Sequence, residues 1–387
     1  MISDSNFSID FVLEKLSNFY SDCCLDLLED FHAEDITHGS AFFSRIFRVE
    51  FCWKNSKTWP KSIILKVPGI QQVGKFQNDE EDEMLDYLEY CHSNEIRIYE
   101  FLHDESKKQG ITLKIPKVYY GSDFSRHHNN GLIIMDDLSK IGGTLRLLPG
   151  LNNAQIESVI QELAKIHVLT WKNGSFIKNH IGKPQMGNFV VEMTEMAQKL
   201  RELDPKIFNP LIDEIQKIFT PKTAELSYYT DSKFGFPATL IHSDLWSANI
   251  IFSKNENVIT DDLLAIIDWQ CAEGGNPGVD IGRLLAINTS SSYRRKNTKR
   301  LLKLYFTAVN EEMNGQELFT FEQLEAAYDA SMGYAAMYMG FGVPHYYHMP
   351  AVVGSKNQES QQIELLDRTK CFFEDTIEAF KIRKFDH

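Results

Sequence analysis

At 387 residues, with 43% hydrophobic and 24% charged residues, the chain has an ordinary globular composition and enough length for two domains or lobes. A formal net charge of −14 argues against a nucleic-acid partner, which needs a basic patch. Cys23, Cys24, Cys52, Cys91, Cys271 and Cys371 show neither CxxC spacing nor a zinc pattern, no run of about 18 apolar residues offers a membrane span, and Met1 to Asp10 lacks signal-peptide character. A reduced, cytoplasmic protein is therefore expected.

Residues 9–30 carry Phe11, Val12, Leu16, Phe19, Tyr20, Leu27 and Leu28 with a helical rhythm, which predicts a helix leading into a first lobe. From Thr37 to Phe51, a small-residue turn followed by β-branched and aromatic residues fits two strands joined over a phosphate. Gly39, Ser40 and Ala41 would let backbone N–H groups approach it, although an ordinary hairpin turn explains the same residues. Ser62 to Val67 reads as a strand with Ile63, Leu65 and Val67 on one face and Ile64 and Lys66 on the other. Lys66 is either a solvated edge residue or the partner of a buried carboxylate. The helix expected from about Glu83 to Lys108 supplies one, because Glu95 lies on its apolar stripe with Tyr99 and Leu102. An unpaired carboxylate there is costly to desolvate, so a Lys66–Glu95 pair is expected, with the ammonium facing nucleotide phosphates. The acidic run Asp79 to Glu83 reads as a solvated loop entering that helix, and Arg126 to Asn130 as an exposed turn.

Gly131 to Ser139 runs from an apolar strand into a polar break. Backbone groups of Asp136 to Leu138 would meet an adenine there, and the lobe boundary is placed at this point. Asn152 or Asn153 caps a helix to about Trp171 whose apolar face carries Ile156, Val159, Ile160, Leu163 and His167. On such a face His167 is expected to be a hydrogen-bonded core residue. Residues 172–236 read as helices and loops.

Leu240 to Phe252 is an apolar strand, a short polar loop presenting His242, Asp244 and Asn249, and a second apolar strand. The turn-rich stretch Ser253 to Asp262 reads as a hairpin-like connection, after which Leu263 to Ile267 delivers Asp268. A carboxylate, an amide oxygen five residues later and a second carboxylate at a strand end suit one task. They hold a divalent cation against a polyphosphate and take the proton of an attacking hydroxyl. The three-position pattern alone is weakly specific, and its place between apolar runs carries the reading. Beyond a Gly-Pro-rich loop, Asp280 is either a helix N-cap or an acceptor for catalytic-loop N–H groups. Residues 296–387 are helical in period. Within them Met332, Tyr334, Met337, Tyr338, Met339, Phe341, Tyr346 and Tyr347 are either core or an acceptor wall.

Four pieces together resemble the choline kinase-like and aminoglycoside phosphotransferase-like branch of the protein-kinase fold. They are His242-Ser243-Asp244-Leu245-Trp246-Ser247-Ala248-Asn249, Ile266-Ile267-Asp268-Trp269-Gln270, Gly275-Asn276-Pro277 with Asp280, and Met135-Asp136-Asp137-Leu138-Ser139. The His-x-Asp-Leu-Trp-x-x-Asn string resembles in particular the ecdysteroid kinase-like group. The resemblance spans about Gly39 to Leu285 and implies a bilobal α+β fold. Residues 1–138 would form an ATP-binding lobe, mainly antiparallel sheet with a helix, ending in a hinge at about 135–139. Residues 139–387 would form a mainly helical lobe. It implies Asp244 as catalytic base or hydroxyl-orienting carboxylate, Asn249 and Asp268 as Mg2+ ligands, and His242 and Asp280 as supports. Lys66 braced by Glu95, Gly39, Ser40 and Met135, Asp136, Asp137 and Leu138 would surround ATP. Trp246, Trp269, Tyr338 and Phe341 are candidates for the acceptor pocket.

The implied activity is ATP- and Mg2+-dependent phosphorylation of a hydroxyl on a small-molecule acceptor, either a sterol-like (ecdysteroid) alcohol or a choline-like amino alcohol. Trp269-Gln270 after Asp268, in place of Phe-Gly, and the short segment to Asp280 argue against a regulated protein kinase. A catalytically silent nucleotide-binding scaffold is the competing reading.

Overall fold

Strand-forming, alternating sequence early in the chain builds an antiparallel sheet, and long amphipathic runs later build helices. The computed structural model describes residues 2, 5–22, 25–37, 44–54, 58–69, 78–125, 130–180, 186–228 and 234–385. It divides into two compact units. The first is Met1–Lys108, Ile115–Ile141 and Ile267–Cys271; the second is Gln109–Lys114, Gly142–Ile266 and Ala272–His387.

In the first unit, helix α1 (Ile9–Tyr20) is capped by Ser8, whose hydroxyl accepts from Phe11 N at 3.2 Å. It ends at Ser21, which adopts a left-handed conformation. The helix thus stops before Leu27 and Leu28, correcting the longer helix expected over 9–30; Leu28 instead opens strand β1 (Leu28–Asp35). Strands β2 (Ser44–Trp53), β3 (Ser62–Pro68), β4 (Val118–Ser122) and β5 (Leu132–Asp136) complete a sheet of order β1-β2-β3-β5-β4, antiparallel throughout. Helix α2 (Asn78–Gln109) includes the acidic run Asp79 to Glu83, which is helical rather than loop. One sheet face and α1 share a core of Val12, Leu13, Leu16, Phe47, Val49, Ile63, Leu65 and Ile134. Each such buried side chain contributes about 1.5–3 kcal/mol. Ile63 and Leu65 face this core as the alternation predicts, which sends Lys66 to the opposite face. Gly39, Ser40 and Ala41 and most of the Arg126–Asn130 turn lie outside the described residues.

The second unit carries strand β6 (Gly142–Thr144), paired with the hairpin β8 (Ile250–Asn255) and β9 (Val258–Ile266), and the two-stranded pair β7 (Thr239–Ile241) and β10 (Glu273–Gly275). The strands of the hairpin run farther than expected. Only Glu256, at positive φ, and Asn257 form its turn, so most of Ser253 to Asp262 is paired strand. Its helices are α3 (Asn153–Lys172), α4 (Ser175–His180), α5 (Met186–Gln198), α6 (Leu200–Leu203), α7 (Pro205–Ile215), α8 (Pro221–Tyr228), α9 (Gly278–Asn288), α10 (Ser291–Glu312), α11 (Phe321–Tyr346), α12 (Pro350–Val353) and α13 (Gln358–Arg383). Asn152 caps α3 in a reciprocal box with Gln155. A Cβ on Gly278 would meet the Tyr328 Cα at 2.7 Å, so glycine is what lets α9 close on α11. Among the described residues, no helix is long and apolar enough to cross a membrane.

Candidate active site

In the first unit, β3 delivers Lys66 and α2 delivers Glu95. Lys66 Nζ lies 2.5 Å from Glu95 Oε2 and also within hydrogen-bond distance of Asp268 Oδ1. Lys66 and Glu95 are both buried, so the expected pair forms and Asp268 joins it. Burial opposes the charge on Lys66, but Asp268 and Glu95 outweigh it and hold the ammonium above its ordinary pKa. Burial pushes Glu95 up against the pull of Lys66, and the nearby charge of Asp268 adds to the rise. Asp268 follows β9 by two residues and sits at φ 66°, a conformation rare outside glycine and typical of constrained functional positions. The segment after it is tied back by Asn94 Nδ2, which donates to the Gln270 carbonyl at 3.1 Å.

Met135 and Asp136 end β5. The Asp136 N–H donates to the Lys117 carbonyl at 2.9 Å, and its carboxylate accepts from the Tyr119 hydroxyl. Asp137 accepts from Arg48 Nε at 3.1 Å and from Ser139 N at 3.0 Å. Burial raises the Asp137 pKa, but the Ser139, Ser62 and Arg48 contacts outweigh it and leave the carboxyl below its ordinary value. Both side chains are therefore committed to the fold, and the Asp136 N–H is committed with them. Of the backbone groups of Asp136 to Leu138 expected to meet an adenine, the Asp136 N–H is thus already used within the first unit.

In the second unit, β7 leads into the loop bearing His242, Ser243 and Asp244. Asp280 is fully buried in the first turn of α9, one turn past the Pro277 cap position, and is not itself the N-cap. Its two oxygens accept from His242 N and Ser243 N, each at 2.9 Å. Of the two roles open to Asp280 from sequence, this is the loop-holding one. Ser243 is thereby kept at φ 67°. The Asp244 N–H then donates to His242 Nδ1 at 3.3 Å. Asn249 Nδ2 donates to the Asp244 carbonyl at 3.0 Å and reaches its Oδ2 at 3.4 Å, so the amide oxygen of Asn249 stays available. His167, fully buried on α3, shares a hydrogen bond with the Tyr305 hydroxyl (2.7 Å) and places Nε2 3.4 Å from Asp280 Oδ2. It is the hydrogen-bonded core residue expected, and it also backs the residue that holds the loop.

The sequence reading missed Arg283. Its Nη2 donates to Asp244 Oδ1 at 3.2 Å, and its guanidinium stands over the Tyr338 ring, 5.2 Å from the centroid. The signal was present: Asp280 and Arg283 are three apart on α9 and so share a face. Asn288 was missed too; its Nδ2 holds the Leu245 carbonyl at 2.9 Å. Among the candidates for an acceptor wall, Trp246 is half-buried and stacks on Tyr346 (5.4 Å, 10°), and Tyr338 and Phe341 are half-buried. Trp269 is completely buried and presents no surface, a correction to its place in that wall. Met332, Tyr334, Met337 and Met339 are core.

An antiparallel sheet with its lysine–glutamate pair, and a helical unit holding an Asp244–Asn249 loop between two strands, are the parts of a protein-kinase-like fold. The choline kinase of Cryptosporidium parvum Iowa II shares that fold, with a TM-score of 0.52 at 13% identity over 91% of this chain and 92% of that one. The chain belongs to the DUF1679 family, described as "Uncharacterized oxidoreductase dhs-27", whose profile matches residues 22–384. The Caenorhabditis elegans "Uncharacterized kinase-like protein D1044.1" is 26% identical over 81% of this chain and 83% of that protein. The "Uncharacterized oxidoreductase dhs-27" of the same organism is 22% identical over 81% of this chain, a match that spans only 38% of that longer protein.

Proposed function

We propose that the protein is an ATP-dependent small-molecule kinase of the choline kinase-like and ecdysteroid kinase-like kind, acting in the cytoplasm on a hydroxyl of an organic acceptor. The observation that carries this reading is Lys66 held jointly by Glu95 and Asp268, a buried cation of the type that takes nucleotide phosphates. The likeness of fold to a choline kinase supports it.

In this reading Lys66 orients the ATP phosphates. Asp244 accepts a hydrogen bond from the acceptor hydroxyl and aims its oxygen at the γ-phosphorus. The new O–P bond forms as the bond from the γ-phosphorus to the β,γ-bridging oxygen breaks, ADP departs, and the hydroxyl proton passes to Asp244. Asp280, through His242 N and Ser243 N, keeps the loop from reorganising during the step, which is where positioning lowers the barrier. Asn249 and Asp268 offer hard oxygen donors of the kind Mg2+ takes, and they would hold it with phosphates and water completing its shell. Bound there, Mg2+ would supply neutralisation of phosphate charge.

The word oxidoreductase supports a second reading only weakly. It stands in the family description and in the name of a protein matched over only 38% of its length. The sequence has no Gly-x-Gly-x-x-Gly string, and every described strand pair is antiparallel, unlike a dinucleotide-binding sheet.

Magnesium-ATP consumption across choline, ethanolamine, sugars, aminoglycosides and hydroxysteroids tests the proposal, with Asp244→Ala as control. One class should stimulate ADP release, and the variant should lose about 10²–10⁴-fold of that turnover while still binding ATP. ATP bound but no acceptor class stimulating would favour a silent scaffold, and phosphate incorporated into proteins instead would favour a protein kinase.

A further inference from the structure

Buried arginines in a folded protein normally spend their donors. Arg368, 1% exposed, gives Nε to Glu364 Oε1 (2.8 Å), Nη1 to the carbonyls of Leu147 (3.0 Å) and Ile287 (2.7 Å), and Nη2 to the Pro149 carbonyl (2.5 Å). Arg283, 2% exposed, differs. Its Nη2 donates to Asp244, but its Nε and Nη1 have no hydrogen-bond partner among the described residues. Two charged N–H donors held idle are costly, and here they sit beside the carboxylate that meets the acceptor.

We infer that Arg283 is an acceptor-binding residue whose idle donors take a carbonyl or carboxylate oxygen lying next to the hydroxyl presented to Asp244. The acceptor is then an oxygen-rich hydroxy compound, a hydroxy ketone or hydroxy acid, and not a cationic amino alcohol. This rests on the kinase reading above and names the substrate class of the same site.

Two further observations point the same way. A cationic acceptor at Asp244 would face the fixed positive charge of Arg283, a like-charge contact that selects against it. Some of the aromatic surface an alkylammonium would use is also already taken, at Tyr338, Trp246 and Tyr346. Tyr338 carries the Arg283 guanidinium and packs against Tyr334 (5.1 Å) and Phe189 (5.7 Å). Trp246 and Tyr346 cover one another. The Tyr346 phenol also stands at the guanidinium: burial raises its pKa, the Arg283 charge and hydrogen bond oppose the rise only in part, and the Asp244 charge adds to it.

The test uses the full chain with three probes: glycerate, a hydroxysteroid bearing a ring ketone, and choline. Acceptor-dependent ADP release and the KM for ATP are measured for wild type and Arg283→Gln. One oxygen-bearing probe should be phosphorylated, its identity separating carboxylate from ketone. Arg283→Gln should raise that probe's KM about tenfold or more with the KM for ATP unchanged. Preferential turnover of choline, or an unchanged acceptor KM in the variant, overturns the inference. Where Arg283→Gln no longer binds ATP and so fails to fold, Arg283→Lys takes its place, since it keeps the charge but loses the forked donors and should show the same KM rise. If none of the probes is phosphorylated, calorimetry of each probe without ATP decides. Binding of an oxygen-bearing probe that the variant loses upholds the Arg283 assignment and sinks the kinase reading; no binding of either sinks the assignment.

Discussion

Each of the two units holds a buried cation among its candidate functional residues, and the two are partnered differently. Lys66 in the first unit is met by two carboxylates, Glu95 and Asp268. Arg283 in the second is met by one, Asp244, and keeps two donors idle. Lys66 stabilises the fold because Glu95, which is buried, needs it, while its second partner Asp268 is partly exposed; Arg283 meets only the partly exposed Asp244, contributes less to the fold and has capacity left for a ligand.

The comparison is sharpened by removing each cation in turn. Lys66→Met leaves Glu95 buried and uncompensated and should cost about 3 kcal/mol or more in denaturant unfolding. Arg283→Met leaves Asp244 with access to water and removes two unsatisfied donors, so its cost should stay below about 1 kcal/mol. Equal costs would break the distinction. Asp280→Ala strips the acceptors from His242 N and Ser243 N and should lower stability by about 2 kcal/mol. Its kcat should fall with little change in the KM for ATP, which steady-state kinetics would read.

A smaller effect concerns pH. Burial pushes Glu273 on β10 up to about 8 from an ordinary 4.5, and its Oε2 has no partner among the described residues. Between those values the native protein holds a proton that the unfolded chain has lost, so its contribution is complete below about pH 4.5 and is lost as pH rises through about 8. Wild type should lose on the order of 1–2 kcal/mol more than Glu273→Gln between pH 5 and pH 8, discounted because water reaches part of the residue. Parallel thermal-melt profiles for the two proteins would contradict this.

Much of this was legible in one dimension. Period 2 in Ser62 to Val67 and period 3.6 around Glu95 were enough to pair Lys66 with Glu95, because each pattern leaves a charge on a face that has to be buried. The loop from His242 to Asn249 was legible because apolar strands bracket it. What stayed hidden depends on three-dimensional accounting. That the first helix stops at Tyr20 follows from the left-handed Ser21 after it, which no periodicity announces. That Asp136 is already committed follows from pairing with Lys117 and Tyr119, on a neighbouring strand and the segment leading into it. The idle donors of Arg283 are a property of its surroundings, and the helical stripe of α9 is silent about them.

The central claim is that a γ-phosphoryl group reaches an acceptor hydroxyl. The most direct test is mass spectrometry of the acceptor after incubation with the full chain and magnesium-ATP. The account predicts an acceptor heavier by one phosphoryl group and an equal amount of ADP. ADP with free inorganic phosphate, and an unchanged acceptor, would contradict it.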